Sequence, residues 1–131
     1  MKLKVFKIAI KGKNNLDTLL TSKVWGFPSN RGVYKTFAET ASVGDKLIFT
    51  YKGMPVALGE VNSKPTTDLV VIFNGADKAY SPVFSVKINK TGRISRQVLN
   101  KFNITLNRGI LNKTDLNTYF KLSDLIQDGE V

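Results

Sequence analysis

The sequence predicts an α+β fold, in the form of a small mixed barrel of five to six strands with flanking short helices. Strand-like and helix-like segments are interspersed without strict alternation, which is typical of this class. The segment 45–61 has the pattern of an antiparallel hairpin. With 131 residues, 42% of them hydrophobic, the chain is long enough for one core and too short for two. We therefore expect a single domain over residues 1–127, followed at 128–131 by a polar tail or the start of a linker.

The N-terminal part of the chain predicts a strand, a short helix and a loop. Residues 3–10 are rich enough in β-branched and aromatic side chains for a strand. Leucines at helical spacing predict a helix over 14–22, with Asn14 or Asn15 as its N-cap. Glycine, proline and asparagine residues within 24–34 predict an irregular loop. Three large aromatic residues fall in this loop: Trp25, Phe27 and Tyr34.

The middle of the chain contains the clearest hairpin. Apolar residues alternate over 45–52, and a second strand-like run covers 56–61 after a turn. Residues 69–73 fit either a short helix or a buried strand, and both types stay open. Residues 83–90 alternate cleanly between apolar and polar side chains, which predicts another strand.

Two helices are expected near the C-terminus, both packed on the sheet. Ser95 can cap the first helix and Thr114 the second. The apolar residues behind these caps recur at helical spacing: Val98, Leu99 and Phe102 in the first helix, and Leu116, Tyr119 and Phe120 in the second.

The formal charge of +10 is distributed unevenly along the chain. Residues 1–114 carry a net charge of +13, whereas residues 115–131 carry −3. A basic body attracts polyanions and is the electrostatic footprint expected of nucleic-acid binding. Because 16 of the 20 basic residues are lysine, the routine surface cation, an ordinary solvated surface is the alternative.

Several classes of enzyme are excluded by composition and by missing motifs. The chain has no cysteine and no histidine, which removes thiolate nucleophiles, the usual zinc ligands and the commonest base at neutral pH. Phosphate-binding loops, dinucleotide-binding glycine motifs and serine nucleophile elbows are also missing. We expect a binding protein that is not an enzyme, without metal or cofactor, in the cytoplasm and away from membranes.

Three segments in a fixed order carry a family resemblance: VWGFP at 24–28, VGDKLIF at 43–49 and ALGEV at 57–61. Together they resemble an EVE domain, a family of the PUA-like superfamily. Residues 80–88 and 108–110 are similar to the family's next strand and closing segment, so the resemblance reaches from residue 24 to residue 122. It implies a PUA-like pseudo-barrel with a pocket that accepts a base swung out of its strand.

The related YTH domains carry a similar tryptophan-containing loop, in which the tryptophan helps to form an aromatic cage around a methylated base. Trp25 is the residue onto which that role maps. An aromatic face stacks on a base with about 1–3 kcal/mol, and a fitted wall gains about 0.8 kcal/mol from a buried methyl group. The second cage tryptophan of YTH domains is missing, because Lys87 or Ile88 stands at its position. Four aromatic residues are candidates for the other walls: Phe27, Tyr51, Tyr80 and Phe84. Tyr51 and Phe84 lie on the apolar phase of their strands, so core packing is the alternative for these two.

Polar and cationic side chains complete the expected nucleic-acid site. Ser29 and Asn30 follow the tryptophan and have donors and acceptors suited to a base edge, although an ordinary turn is equally compatible. Guanidinium and ammonium groups suit phosphates, with surface salt bridges as the alternative. The phosphate-binding candidates are Arg31, Lys35, Arg93, Arg96 and Arg108. Further lysines add nonspecific attraction, among them Lys11, Lys13 and Lys52.

The leading hypothesis is a nucleic-acid-binding reader that captures a flipped, methylated base. The reader acts alone or as the DNA-targeting module of a modification-dependent restriction system, in which it is fused to or associated with a larger enzyme. DNA is favoured over RNA only by analogy with EVE-like domains. One alternative is an RNA-binding PUA-like domain. Another is an ASCH-type nuclease that uses Tyr34, Lys35 and Glu39, and a third is a protein-interaction module that uses the acidic tail.

Overall fold

The computed structural model describes residues 3–27, 32–66, 71–72, 79–80 and 82–127. Strands and helices are interspersed, which confirms the α+β class. In chain order they are β1 (Val5–Ile10), α1 (Lys13–Ser22), β2 (Val24–Gly26), α2 (Gly32–Thr40), β3 (Lys46–Tyr51), β4 (Met54–Val61), β5 (Val71–Ile72), β6 (Ala79–Tyr80), β7 (Val83–Thr91), α3 (Arg96–Lys101), β8 (Leu111–Thr114) and α4 (Leu116–Leu125). None of the described helices is long and apolar enough to span a bilayer.

Six strands form one curled sheet in the order β2-β7-β4-β3-β1-β8, and β5 and β6 form a separate pair. β1 and β3 run parallel, whereas the other neighbouring strands of the sheet are antiparallel. Two parallel strands need a crossover connection, and the segment that contains α1, β2 and α2 provides it. The predicted pseudo-barrel of five to six strands with flanking short helices is confirmed.

The two faces of the sheet contribute to two separate apolar clusters, because successive residues of a strand point to opposite faces. Ile8 and Phe49 belong to the larger cluster, the main core, which α1 and α2 also supply. Ile48 belongs to the second core, where Leu99 of α3 and Leu122 of α4 cover the sheet. Alternation along β1 and β3 therefore decides which side chains can reach which site.

The predicted hairpin and the strand after it are present. β3 and β4 pair along their lengths and are joined by a turn at Lys52 and Gly53. The strand expected over 83–90 is β7. Ser95 caps α3 as predicted, since its hydroxyl oxygen accepts a hydrogen bond from Val98 N at 3.3 Å.

Residues 24–34 are not one irregular loop, and this prediction is wrong. Val24–Gly26 form the edge strand β2, which pairs with β7, and α2 begins at Gly32. Long-range pairing supplies backbone partners that the local sequence does not reveal. The sequence pattern does not indicate β8 for the same reason, because Leu111–Thr114 pair with β1, at the other end of the chain.

The N-cap of α1 also differs from the prediction. Gly12 occupies the cap position with φ 91°, and no side chain bonds to the free amides there. Asn14 and Asn15 both lie inside the helix. The Asn15 amide instead donates to the Lys11 carbonyl at 2.8 Å, a local bond that competes with a capping role.

Asp115, and not Thr114, caps α4. Thr114 is the last residue of β8, so its backbone is committed to the sheet. The Asp115 carboxylate accepts a hydrogen bond from Thr118 N at 2.7 Å. This hydrogen bond to the backbone lowers the pKa of Asp115, because it favours the ionised form.

A buried carboxylate fixes the start of β3. Asp45 is 1% exposed and accepts hydrogen bonds from Ser42 N at 2.8 Å and Lys4 N at 3.1 Å. The Lys4 ammonium group lies 3.3 Å from the same carboxylate. The glycine-aspartate step at 44–45 therefore has a structural role, in that it ties the beginning of β1 to the beginning of β3.

Candidate nucleic-acid interface

Trp25 lies in the edge strand β2, opposite Phe84 of β7, and is only 5% exposed. Its ring packs edge-on against Phe49, with 5.9 Å between ring centroids. Because β2 pairs with β7, the Trp25 side chain joins the main core. Contact of Trp25 with a base stays a prediction.

The other candidate walls are also packed in or against the main core. Phe27 is fully buried and stacks on Tyr34 of α2, with 4.9 Å between ring centroids. Phe84 is buried in the same cluster. Tyr51 is half-buried against it, and Lys52 Nζ lies 5.4 Å from the centre of its ring. Trp25, Phe27 and Phe84 thus belong to one buried cluster, with Tyr51 packed against it.

Part of the predicted base site falls outside the described residues. Ser29, Asn30 and Arg31 are not described. Tyr80 is described only through its backbone, which pairs with Val71 in the two-stranded ribbon. Their assignments to the base site and to phosphate stay predictions.

A cavity of about 450 Å³ lies on the sheet face opposite Trp25. Lys7 and Ala9 of β1 line it, and they alternate with Ile8 and Ile10, which point into the main core with Trp25. Five cationic side chains line this cavity: Lys7, Lys11, Lys52, Arg96 and Arg108. Its lining residues include no carboxylate, and no ion pair between described residues involves any of the five cations. We call it the cationic cavity.

Lys7 is the buried member of this group. It is 3% exposed, and its ammonium group donates a hydrogen bond to the carbonyl of Gly109, in the loop before β8. Burial lowers the pKa of Lys7, and the nearby charge of Lys11 lowers it further. The charged form of Lys7 is therefore disfavoured by its surroundings in the protein.

Arg96 reaches the cavity across the β3-β4 turn. Gly53 in that turn has φ 78°, a left-handed conformation that suits glycine. A Cβ built on Gly53 would lie 2.6 Å from Arg96 Nη2, so the bare glycine backbone is what leaves room for the guanidinium group. Thr50 of β3 also lines the cavity and is buried.

The structure brings together two of the predicted phosphate-binding residues. Arg96 and Arg108 line the same cavity. Arg93 and Lys35 are exposed and do not belong to its lining. Sequence reasoning missed Lys7, although a lysine between apolar residues in the middle of a strand signals either an exposed face or a buried charge.

The residues considered for a nuclease site differ in their surroundings. The Tyr34 ring packs on Phe27 in the core, whereas Lys35 and Glu39 are exposed on α2. Among the described residues there is also no group of three acidic side chains that could hold a metal ion. This arrangement gives no support to the nuclease alternative.

Known proteins resemble this chain in structure and not in sequence. No protein-family model matches it, and no curated protein matches it. The crystal structure of the YTH domain of Zygosaccharomyces rouxii MRB1 protein in complex with N6-methyladenosine RNA aligns with a TM-score of 0.72. That alignment covers 96% of this chain and 90% of the other, at 16% identity. The fold is that of YTH domains.

Two further YTH structures agree. The Pho92 YTH domain in complex with m6A aligns with a TM-score of 0.70 and 15% identity, over 98% of this chain and 85% of that one. The Mmi1 YTH domain in complex with RNA aligns with a TM-score of 0.71 and 11% identity, over 95% and 78%. In this chain the YTH fold carries Trp25 on one face of the sheet and the cationic cavity on the other.

Proposed function

We propose that this chain is an RNA-binding reader that captures a methylated adenine in a pocket walled by Trp25. The observation that carries the proposal is the likeness in fold, over nearly the whole chain, to YTH domains solved with N6-methyladenosine. The net charge of +13 over residues 1–114 supports a polyanionic partner. Trp25 supports the base-binding part, because it is the residue in the VWG segment onto which the cage tryptophan maps.

The proposal favours RNA over DNA. These three YTH structures were solved with RNA or with N6-methyladenosine. The preference for DNA in the sequence analysis rested on an analogy with DNA-targeting modules, and the likeness to these structures is the better guide. Nothing in the comparisons supports a restriction system. The DNA-targeting part of the sequence-based hypothesis is therefore not carried further.

A base can reach the proposed pocket only if side chains around Trp25 rearrange, because the ring is 5% exposed. Strand β2 lies at an edge of the sheet, and its pairing is confined to three residues of β7. Short edge elements are typical of regions that open locally at low free-energy cost. The methylated base would replace part of the packing that Trp25 makes in the free protein, notably on Phe49.

The same proposal assigns no catalysis to the chain. It acts by binding, in the cytoplasm, and exposed cations such as Lys35 and Arg93 attract the phosphodiester backbone without sequence preference. Within the YTH fold, the ordered VWG, GD and EV segments favour an EVE-like member. A fusion to a larger enzyme, or association with one, is proposed only on the basis of this resemblance to EVE domains.

The test is RNA binding measured through the fluorescence of Trp25, the one tryptophan of the chain. Short RNAs with adenine or N6-methyladenine at one position, and the corresponding DNAs, would be titrated into the full chain at fixed salt concentration. We expect the methylated RNA to bind most tightly and to quench the tryptophan, because a stacked base contacts the ring directly. All oligonucleotides would carry 5′-hydroxyl ends.

Two variants separate a binding role of Trp25 from its packing role. Trp25→Phe keeps an aromatic ring in the core and should reduce methyl preference while the fold is retained. Because this variant has no tryptophan, its binding is measured with fluorescently labelled RNA, alongside the wild-type chain. Lys35→Ala removes an exposed charge on α2 and should lower the affinity for methylated and unmethylated RNA by the same factor. Equal affinity of the wild-type chain for methylated and unmethylated RNA would refute the proposal, as would tighter binding of DNA.

A further inference from the structure

The cationic cavity has no role in the proposed capture of a base, since it lies on the opposite face of the sheet from Trp25. We propose that it is a second binding site, for the phosphomonoester group of a nucleotide. The group can come from the 5′-phosphate end of an RNA strand or from a free nucleotide. This inference does not depend on the proposed function.

The first argument is uncompensated charge. Lys7, Arg96 and Arg108 converge with two further lysines on one cavity, and no carboxylate lines it. Two lysines elsewhere in the described chain do have a carboxylate partner: Lys46 lies 3.4 Å from Glu60 and Lys4 lies 3.3 Å from Asp45. Like charges at close range repel one another, and a bound anion removes that repulsion.

The second argument is Lys7 itself. A buried ammonium group is stable when it is paired and fully hydrogen-bonded. Within the described structure, Lys7 donates only to the Gly109 carbonyl, and three donors are available on an ammonium group. An anionic oxygen in the cavity would supply both a further hydrogen bond and a countercharge.

The size and lining of the cavity favour a nucleotide over a bare ion. Its volume of about 450 Å³ lies within the range of small-molecule sites, roughly 300–1,000 Å³. Ala9 and Leu106 offer apolar surface for a sugar or base, and Thr50 and Asn107 offer polar groups beside the cations. Arginine is suited to the phosphate, because its planar fork can donate two parallel hydrogen bonds.

Two features favour a terminal phosphate over an internal phosphodiester. A phosphomonoester carries about −1.5 to −2 charges at pH 7, whereas a phosphodiester carries a single one, so five cations favour the former. Lys7 is also almost fully buried, and a terminal group can reach it without bringing a sugar on each side. The cavity would thus distinguish the end of a strand from its interior.

The experiment compares unmethylated RNAs of one sequence that carry either a 5′-phosphate or a 5′-hydroxyl, binding to the full chain at fixed salt. We expect the 5′-phosphate to increase affinity by roughly tenfold or more, the range of a hydrogen-bonded charge pair. Arg96→Ala should abolish that increase. Arg93→Ala is the matched control, because it removes the same charge from an exposed position outside the cavity, and it should preserve the increase.

Competition identifies the source of the phosphate. If adenosine monophosphate displaces the bound 5′-phosphorylated RNA at a concentration similar to the one at which unlabelled 5′-phosphorylated RNA does so, the cavity accepts free nucleotides. If only the phosphorylated strand competes, the cavity recognises strand ends. Either result supports the inference.

The inference is overturned if 5′-phosphate and 5′-hydroxyl RNA bind equally and adenosine monophosphate shows no saturable binding. It is also overturned if Arg93→Ala and Arg96→Ala reduce the effect of the phosphate equally, because the effect would then be general electrostatics. Methyl preference is measured on 5′-hydroxyl RNA, so failure of the base reader and failure of the phosphate site give different results.

Discussion

Arg96 Nη2 lies 2.6 Å from the position that a Cβ on Gly53 would occupy, so the guanidinium group rests on the bare backbone of the β3-β4 turn. One cation of the cavity, carried by α3, thereby lies directly over the hairpin turn. Because the turn also requires φ 78° at Gly53, the glycine serves both the hairpin and the position of Arg96. The cavity is therefore sensitive to a residue that carries no charge.

Gly53→Ala should displace Arg96 and weaken phosphate binding. The left-handed conformation alone costs a non-glycine residue roughly 1–2 kcal/mol of stability. Gly44→Ala is the control, since Gly44 has φ 97° and a Cβ at that residue would meet only Leu3 Cδ2, at 3.9 Å. Both variants should lose similar stability in urea, and only Gly53→Ala should lose affinity for 5′-phosphorylated RNA. Loss of affinity in both would indicate a general effect of destabilisation.

Lys7→Met should stabilise the ligand-free protein and weaken phosphate binding. Methionine fills the volume of the buried lysine stem without its charge, and we expect a gain of about 1 kcal/mol at neutral pH. Chemical denaturation of wild type and variant measures the gain. A variant that is less stable than wild type at neutral pH would show that the ammonium group is already well compensated.

The stability of the wild-type chain should also depend on Lys7 at alkaline pH. Its pKa is lowered from 10.5 on folding, so the unfolded chain binds more protons between the folded-state pKa and 10.5. The unfolding free energy contributed by this group therefore rises with pH through that window. The difference in stability between Lys7→Met and wild type should shrink there, which denaturation at several pH values can measure.

Trp25→Ala should destabilise the fold strongly, by about 3–5 kcal/mol, the usual cost of truncating a buried tryptophan. Trp25→Phe should cost much less, because the aromatic contact with Phe49 is retained in part. The wild-type emission spectrum should be that of a tryptophan shielded from water. A spectrum typical of exposed tryptophan, with little effect of Trp25→Ala on the melting temperature, would contradict the burial of this side chain.

Removal of residues 124–131 should destabilise the fold more than removal of residues 128–131, because only the longer truncation takes away Ile126. Ile126 is buried in the second core, and its amide donates to the Leu122 carbonyl at 2.9 Å. A test of the acidic tail as a protein-interaction site therefore has to begin after Gln127. The melting temperatures of the two truncated chains provide the measurement, and equal values would mean that Ile126 contributes little.

The cap of α4 should weaken in acid. The pKa of Asp115 is lowered from 3.8 by the hydrogen bond from Thr118 N, so the stability it confers is present above pH 3.8 and is lost as pH falls through the folded-state pKa. Asp115→Asn keeps an acceptor at the cap and should remove this pH dependence. Chemical denaturation of wild type and variant above and below pH 3.8 measures this difference. If both proteins lose stability equally in acid, the pH dependence comes from groups other than Asp115.

The sequence predicts the hairpin, whose two strands are neighbours along the chain. The hairpin of β3 and β4 and the cap at Ser95 depend on neighbouring residues, and both predictions are confirmed. β2 and β8 are only three and four residues long, and each exists because a distant strand pairs with it. Local patterns carry no information about such partners.

The same distinction applies to the candidate site. The chemistry of arginine indicates Arg96 and Arg108 from the sequence, and the fold brings them into one cavity. Lys7 joins them because alternation in β1 directs it away from the main core, which depends on the register with β3. Burial of Trp25 likewise depends on its pairing with Phe84. The sequence therefore shows the chemistry of each residue, whereas its burial and its neighbours in space depend on the pairing of distant strands.

The position of β1 has a consequence for how the chain folds. β1 precedes the other strands of its sheet along the chain, yet it lies between β3 and β8, and Lys7 is joined by a hydrogen bond to Gly109, 102 residues later. Contacts between distant residues slow folding, because the loop between them must close before the contact forms. During synthesis, the edge of β1 that β8 will cover stays open until β8 has emerged from the ribosome. We therefore expect the apolar first strand to be the part of the nascent chain most in need of protection from aggregation.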